Sequence, residues 1–165
     1  MVKCGRVLVV MGSMSDSSTV LKCTEVLKNF DVDFECHVAS AHRTPDAAIA
    51  LAKGAEAQGF SVIICAAGMA AHLAGVFTAN TTLPVIGLPL SGGIADGMDA
   101  LLSTVQMPSG FPVATVAVNG AKNAAYLAIS ILALSDSVLR EKLKEFRKTT
   151  ADDIKVKDEE LQTML

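Results

Sequence analysis

The chain has 165 residues, enough for one domain with a complete hydrophobic core; 51% of them are apolar and only 19% are charged. Because no apolar run reaches the ~18 to 20 residues needed to span a bilayer, this composition argues against a transmembrane protein and predicts an oligomer that buries much of its surface. The net charge of −3, the single Tyr and the lack of Trp argue against a nucleic-acid-binding surface, which is basic and rich in stacking aromatics.

Apolar runs alternate with helical patterns along the chain. The runs carry few polar residues, as is typical of parallel strands covered on both faces, and the helical patterns repeat every three or four residues. The predicted strands are 7–11, 33–38, 61–66, 84–88 and 112–118. The predicted helices are 17–30, 45–58 closed by Gly59, a small-residue segment ending near 78, 98–106, 121–133 and 135–148. This order predicts a doubly wound α/β domain, a flavodoxin-like three-layer αβα sandwich with a five-stranded parallel sheet. We expect one domain over residues 1–150 and a helical C-terminal tail over 151–165.

The cysteines and the N-terminus indicate the compartment. Residues 1–10 run directly into a strand pattern, so we expect no signal peptide. Cys36 and Cys65 fall in strand-like runs, where a free cysteine is usually a small buried residue. His37 lies in a strand next to Cys36, and we expect it to be structural. The four cysteines have neither CxxC nor metal-ligand spacing: Cys4, Cys23, Cys36 and Cys65. We therefore predict reduced thiols, a cytoplasmic location and no metal.

The loop after the second strand is the strongest candidate for chemistry. Ligands of open parallel sheets bind outside the carboxyl ends of the strands, where this loop lies. His42 and Arg43 combine a proton carrier with an anion-binding group. Thr44 is placed to cap the next helix, and Pro45 suits its first position. Since a loop histidine is more often a bystander than a catalyst, other loops of the same kind have to support the assignment.

Two further loops after strands supply that support. Residues 12–16 open the first helix, where small residues and the helix N-terminus favour an anion, although an ordinary cap at Ser15 or Asp16 explains them equally well. Residues 66–75 are mostly small, which permits close approach of a flat ligand or of another helix. His72 within them is either a site residue or a histidine satisfied by a neighbour.

Six segments in order resemble one known family over nearly the whole chain. They are similar to the N5-carboxyaminoimidazole ribonucleotide mutases, the catalytic subunit type of phosphoribosylaminoimidazole carboxylase in de novo purine synthesis. Each motif is modest, but their order and spacing together are specific. The segments are GSMSD (12–16), SAHRTPD (40–46), AAGMAAHLAG (66–75), LPVIGLP (83–89), GMDALLSTVQMPSGFPVAT (97–115) and AKNAAYLA (121–128).

The resemblance implies a reversible transfer of a carboxylate from the exocyclic nitrogen N5 to ring carbon C4 of an aminoimidazole ribonucleotide. It implies no metal and no organic cofactor: CO2 is released in a closed pocket beside Gly68, C4 attacks it, and the C4 proton leaves. His42 would be the general acid and base for both proton transfers. Family members are homo-octamers with active sites at subunit boundaries, which fits the excess of apolar residues.

The resemblance also implies the substrate-binding residues. Arg43 with Ser13 suits the 5′-phosphate, and Asp16 is assigned to the ribose hydroxyls because a carboxylate beside a phosphate is unfavourable. In an octamer, His72 would be able to reach a neighbouring subunit or an adjoining site. The positions expected to line the base and carboxylate pocket are Ser40, Gly68, Ala70, His72 and Leu73.

Two alternatives stay open at this point. A sister class carboxylates the aminoimidazole ribonucleotide directly with CO2; it tends to have Lys after the loop histidine and Ser-Asn-Ala in the glycine loop. This chain has Arg43 and, at 70–72, Ala-Ala-His, which favours the mutase. It departs from the mutase pattern at Met69 and Ala74, where the family commonly has Gly and Pro. The second alternative is a non-catalytic flavodoxin-like module that binds a nucleotide or a phosphate, since fold alone does not imply chemistry.

Overall fold

The computed structural model describes residues 5–165, so Cys4 lies outside the described residues. One parallel sheet runs in the order β2-β1-β3-β4-β5, which confirms the predicted doubly wound, flavodoxin-like α/β fold. The strands are β1 (Arg6–Met11), β2 (Phe34–Val38), β3 (Phe60–Gly68), β4 (Val85–Leu90) and β5 (Ala114–Thr115). The helices are α1 (Ser17–Asn29), α2 (Pro45–Gly54), α3 (Leu73–Thr78), α4 (Met98–Val105), α5 (Ala121–Leu132) and α6 (Ser137–Met164).

The two faces of the sheet are covered by two layers of helices. Successive side chains of a strand point to opposite faces, so Val7 and Val9 of β1 face the layer that contains α1 and α5. Leu8 and Val10 face α2 and α3 instead. Because both faces are covered, burial of each such side chain contributes about 1.5 to 3 kcal/mol to folding. This explains why the strands read as continuous apolar runs.

The α4 helix lies against β4 in the same layer as α3. A Cβ atom placed on Gly87 of β4 would come 2.3 Å from Cγ2 of Thr104, and 3.6 Å from Cβ of Ala74. Glycine at position 87 therefore allows α4 to approach the sheet closely. This packing brings the first turns of α4 near the carboxyl end of β3.

The α2 helix and the β5 strand are several residues shorter than the sequence predicts. The α2 helix ends at Gly54, four residues before the predicted end, and turns follow up to Gly59, whose φ of +82° suits glycine. The β5 strand has two residues instead of the predicted 112–118. Pro112 has no N–H to donate to a sheet, and Asn119 turns the chain with a φ of +57°.

The described cysteines differ in burial. Cys23 and Cys65 are buried, and burial raises the pKa of both thiols, that of Cys23 to about 12. They behave as small apolar residues, as predicted for Cys65. The prediction was wrong for Cys36, which is exposed because β2 is an edge strand of the sheet.

The α6 helix combines two predicted segments in 28 continuous residues. Its first part is anchored by the buried Leu139 and by Phe146, whose ring stacks on Tyr126 with 4.8 Å between the centroids. Residues 147–165 are exposed throughout. The domain boundary at residue 150 stays a prediction, because the helix runs across it without a break. Among residues 5–165, no helix is both long and apolar enough to cross a membrane.

Candidate active site

A cavity of about 560 Å³ lies at the carboxyl edge of the sheet. It is formed by the β1–α1 loop (12–16), the β2–α2 loop (39–44), the β3–α3 loop (69–72) and the β4–α4 loop (91–97), with the end of β3. All nine residues predicted from the sequence line it: Ser13, Asp16, Ser40, His42, Arg43, Gly68, Ala70, His72 and Leu73. His37 does not line it; this side chain lies on β2, 3.4 Å from the Glu35 carboxylate. The loop rule for parallel sheets thus located the cavity.

Seven lining residues were not among the predicted site residues. They are Gly12, Ser15, Ala41, Ala67, Met69, Ser91 and Gly92. Most are direct neighbours of predicted residues. Ser91 and Gly92 are not, but they follow β4, and their position after a strand was the signal that identifies them. Asn119 fixes this loop: its Oδ1 accepts from the Ser91 N–H at 3.1 Å, and its Nδ2 donates to Ser91 Oγ at 2.8 Å.

The β1–α1 loop is held by a capping box. Ser13 Oγ accepts from the Ser15 N–H at 3.3 Å, and Asp16 Oδ2 accepts from the Ser13 N–H at 3.0 Å. The side-chain caps are therefore made by Ser13 and Asp16, whereas Ser15, one of the two expected caps, provides a backbone donor. Its hydroxyl contacts Asp16 Oδ1 at the longer distance of 3.3 Å. This carboxylate oxygen has the weaker internal contact, and so is the better placed to accept from a ligand.

The β2–α2 loop connects to the first loop through Arg43. Its Nη2 donates to Gly12 O at 2.7 Å, while its backbone N–H donates to Ser40 Oγ at 3.2 Å. Pro45 begins α2 and Thr44 occupies the N-cap position, as predicted, but the Thr44 side chain makes no capping hydrogen bond. Thr44 Oγ1 accepts instead from the Ser40 N–H at 2.9 Å, which closes the loop on itself. The guanidinium is thereby held at the edge of the cavity beside the β1–α1 loop.

Two histidines from different loops meet in the cavity. His42 Nε2 lies 2.8 Å from His72 Nδ1, and the rings are nearly perpendicular, with an interplanar angle of 81°. At this separation one of the two nitrogens carries the hydrogen and the other accepts it, so the contact couples the tautomers of the two rings. The sequence left two interpretations of His72 open, a site residue or a histidine satisfied by a neighbour. The pairing with His42 was not predicted, since the two residues are 30 positions apart.

The β3–α3 loop has a strained backbone. Met69 has a φ of +53°, which lies in the left-handed region. This conformation is unfavourable for most residues other than Gly and Asn. The Met69 side chain is exposed at the cavity, whereas Leu73, which was also predicted to line it, is 2% exposed and packs in the core beside Ala74. Among residues 5–165, no three His, Cys, Asp or Glu side chains lie close enough to hold a metal ion together.

The comparison with known protein families decides the family. The family model described as AIR carboxylase matches residues 6–153, most of the chain. This chain belongs to the AIR carboxylase family. The family resemblance inferred from the six sequence segments is therefore confirmed.

Relatives of the chain share both its sequence and its fold. It is 49% identical over 149 residues to the N5-carboxyaminoimidazole ribonucleotide mutase of Saccharolobus solfataricus, covering 90% of this chain and 94% of the relative. It is 48% identical over 159 residues to the protein of that name from Mycobacterium tuberculosis, covering 96% and 91%. The crystal structure of Treponema denticola PurE matches with a TM-score of 0.86 and 29% identity, covering 94% of this chain and 97% of that one.

Proposed function

We propose that this chain is an isomerase that moves a carboxylate from N5 to C4 of an aminoimidazole ribonucleotide in purine (IMP) biosynthesis. The observation that carries the proposal is the single cavity that unites His42, His72 and Arg43 in a member of the AIR carboxylase family. The names of the similar mutases support the same reaction for this chain.

The reaction needs two proton transfers at neighbouring atoms. When the N5–carboxylate bond breaks, CO2 leaves and N5 takes a proton; when C4 bonds to the CO2 carbon, the C4 proton leaves. One group that first donates and then accepts a proton therefore completes the cycle without net change. An imidazole does both near neutral pH, and we assign both steps to His42.

His72 acts on the reaction through His42. The 2.8 Å contact between His72 Nδ1 and His42 Nε2 holds the His42 ring in one orientation. The ring therefore presents its proton to the substrate from one fixed position instead of from several rotamers. His72 thereby gains a role beyond the contact with the substrate that the sequence suggested. We keep that contact as well, because His72 lines the cavity.

The remaining residues hold the nucleotide. We assign Arg43 and Ser13 to the 5′-phosphate, supported by the Arg43 contact with Gly12, which brings the guanidinium beside the β1–α1 loop. Asp16 accepts from the ribose hydroxyls through Oδ1. The base and carboxylate lie against four further lining residues, Ser40, Gly68, Ala70 and Leu73. Closure of the small-residue loops around CO2 makes recombination faster than escape.

We further propose a cytoplasmic homo-octamer that needs no cofactor. Apolar side chains are exposed along one side of α4 and on the loops beside it, namely Ile94, Met98, Leu102, Val105 and Phe111. A surface of this kind is typical of a protein–protein contact. Sedimentation equilibrium should give a mass of about eight times 17.2 kDa. A mass equal to that of one chain would contradict the octamer.

A two-substrate assay tests the proposed reaction. The purified protein is supplied either with N5-carboxyaminoimidazole ribonucleotide or with aminoimidazole ribonucleotide and CO2, and formation of the C4-carboxylated product is followed. We expect efficient turnover of the first substrate. Turnover of the second pair alone would replace the mutase with a direct carboxylase. Binding of the nucleotide without turnover of either would support a non-catalytic module.

A further inference from the structure

The β3–α3 loop carries His72 on a backbone that does not hold its shape by local preference. Met69 has a φ of +53°, and the His72 N–H donates to Ala70 O at 2.8 Å, which makes a tight three-residue turn. The left-handed conformation of a non-glycine residue persists only where surrounding structure holds it. A contact from outside the loop is therefore needed to fix the position of His72.

Ser103 of α4 provides such a contact. Its Oγ accepts from the Ala71 N–H at 3.0 Å and lies 3.3 Å from Met69 O. Its single hydrogen has its shortest contact with Asp99 O in the same helix, at 2.7 Å, which turns a lone pair toward Ala71. Ala71 is 1% exposed, so water does not replace Ser103 as the acceptor.

We propose that Ser103 is a positioning residue: it fixes the β3–α3 loop so that His72 Nδ1 meets His42 Nε2. Ser103 does not line the cavity and acts only through the loop. The kinetic part of this inference rests on the proposed function, because it is measured as turnover. The structural part does not, since the hydrogen bond between the two histidines is observable without a substrate.

Removal of the Ser103 hydroxyl leaves a buried N–H without an acceptor. The loop then shifts to expose the Ala71 N–H to water or to another acceptor, and the shift moves His72 at the next position. A displacement of about 1 Å is enough to break the 2.8 Å contact and leave the His42 ring free to reorient. The larger loss falls on kcat, because the Arg43 side of the cavity stays intact and only the smaller contact of His72 with the substrate is displaced.

Variants of Ser103 and of its neighbour Thr104 distinguish an effect on the position of the loop from an effect on the stability of α4. We expect Ser103→Ala to lower kcat about tenfold with KM within twofold, and Ser103→Thr, which keeps the hydroxyl, to restore kcat. Thr104→Val is the matched control: Thr104 is buried in the same helix, and its hydroxyl donates to Ala100 O inside that helix. We expect this variant to retain the wild-type kcat. An equal fall in kcat for Thr104→Val would overturn the proposal.

Nuclear magnetic resonance of the histidine rings gives the second readout. The chain has three histidines, so selective 15N labelling yields three ring systems, with His37 as the internal reference. In the wild type, the 15N chemical shifts of His72 Nδ1 and His42 Nε2 should be those of one tautomer for each ring. In Ser103→Ala, these shifts should move toward the average of the two tautomers. Unchanged ring shifts in folded Ser103→Ala would overturn the proposal, whatever the turnover. If Ser103→Ala does not fold, the isosteric pair Ser103→Thr and Ser103→Val provides the same comparison. Absence of turnover in the wild type would refute the proposed function and leave the ring measurement decisive.

Discussion

The two sides of the cavity are built in different ways. The nucleotide side of the cavity consists of the β1–α1 loop with Ser40, Arg43 and Thr44. The hydrogen bonds that close each of its loops join residues one to four positions apart, and the Arg43 contact with Gly12, 31 positions away, joins the two loops. The histidine side consists of His42 and the β3–α3 loop, and its contacts span 30 positions between the two histidines and 32 between Ala71 and Ser103. Local hydrogen bonds close each loop of the nucleotide side, whereas the histidine side depends on packing of α4 against the sheet. We therefore expect nucleotide binding and proton transfer to respond separately to mutation.

The largest expected effect is that of His42→Asn on the histidine side. Asn keeps a polar side chain but does not carry a proton between N5 and C4, so kcat should fall by about 10² to 10⁴. The affinity for the nucleotide, measured by calorimetry, should stay within threefold of wild type, since the Arg43 side is intact.

His37→Asn is the control for this substitution. His37 lies on β2 beside Glu35 and does not line the cavity, so its loss should leave kcat unchanged. If His42→Asn turned over substrate at the wild-type rate, the two histidines would not form the reactive side of the cavity. The separation of proton transfer from nucleotide binding would then be wrong.

The second effect concerns Arg43→Ala on the nucleotide side. Loss of charge-assisted hydrogen bonds to a phosphate should raise KM about 10- to 100-fold and leave kcat within threefold. Lys53→Ala, which removes an exposed cation from the last turn of α2, should change neither constant. If Arg43→Ala instead lowered kcat with KM unchanged, Arg43 would belong to the reactive side.

The contrast between local contacts and contacts distant in sequence also explains which features the sequence could predict. Apolar runs predicted the number and type of strands, and the rule that ligands bind at strand ends pointed to the loops that line the cavity. The pairing of His42 with His72, the contact of Ser103 with Ala71 and the exposure of Cys36 depend on the order of strands and on helix packing. No local pattern encodes those distances. The residues that the family resemblance named line the cavity, but the resemblance did not give their partners.

The third prediction concerns the strain at Met69, on the histidine side. Met69→Gly should raise the free energy of unfolding by about 0.5 to 1 kcal/mol, because glycine adopts the φ of +53° without the steric penalty. Ala70→Gly, at a neighbour without a positive φ, should lower it by about 0.5 to 1 kcal/mol. Urea unfolding measures both. Equal destabilisation by the two substitutions would argue against strain in this loop.

The smallest effect is expected far from both sides, at Glu35. The hydrogen bond from Arg6, and then that from His37, hold the pKa of Glu35 below its ordinary value of 4.5. A carboxyl with a lowered folded-state pKa stabilises the protein above its unfolded-state pKa, and this contribution is lost as the pH falls below about 4.5 toward the folded-state pKa. Urea unfolding should therefore show a steeper loss of stability on acidification for wild type than for Glu35→Gln. Turnover at neutral pH should be the same in both.

The fate of the carboxylate tests the central claim most directly. N5-carboxyaminoimidazole ribonucleotide labelled with 13C in its carboxylate is converted in buffer that contains unlabelled bicarbonate, and the C4-carboxylated product is analysed by mass spectrometry. If one cavity both releases and recaptures CO2, the product carries the label well above the isotopic composition of the buffer. A product with the isotopic composition of the buffer would contradict transfer within one site.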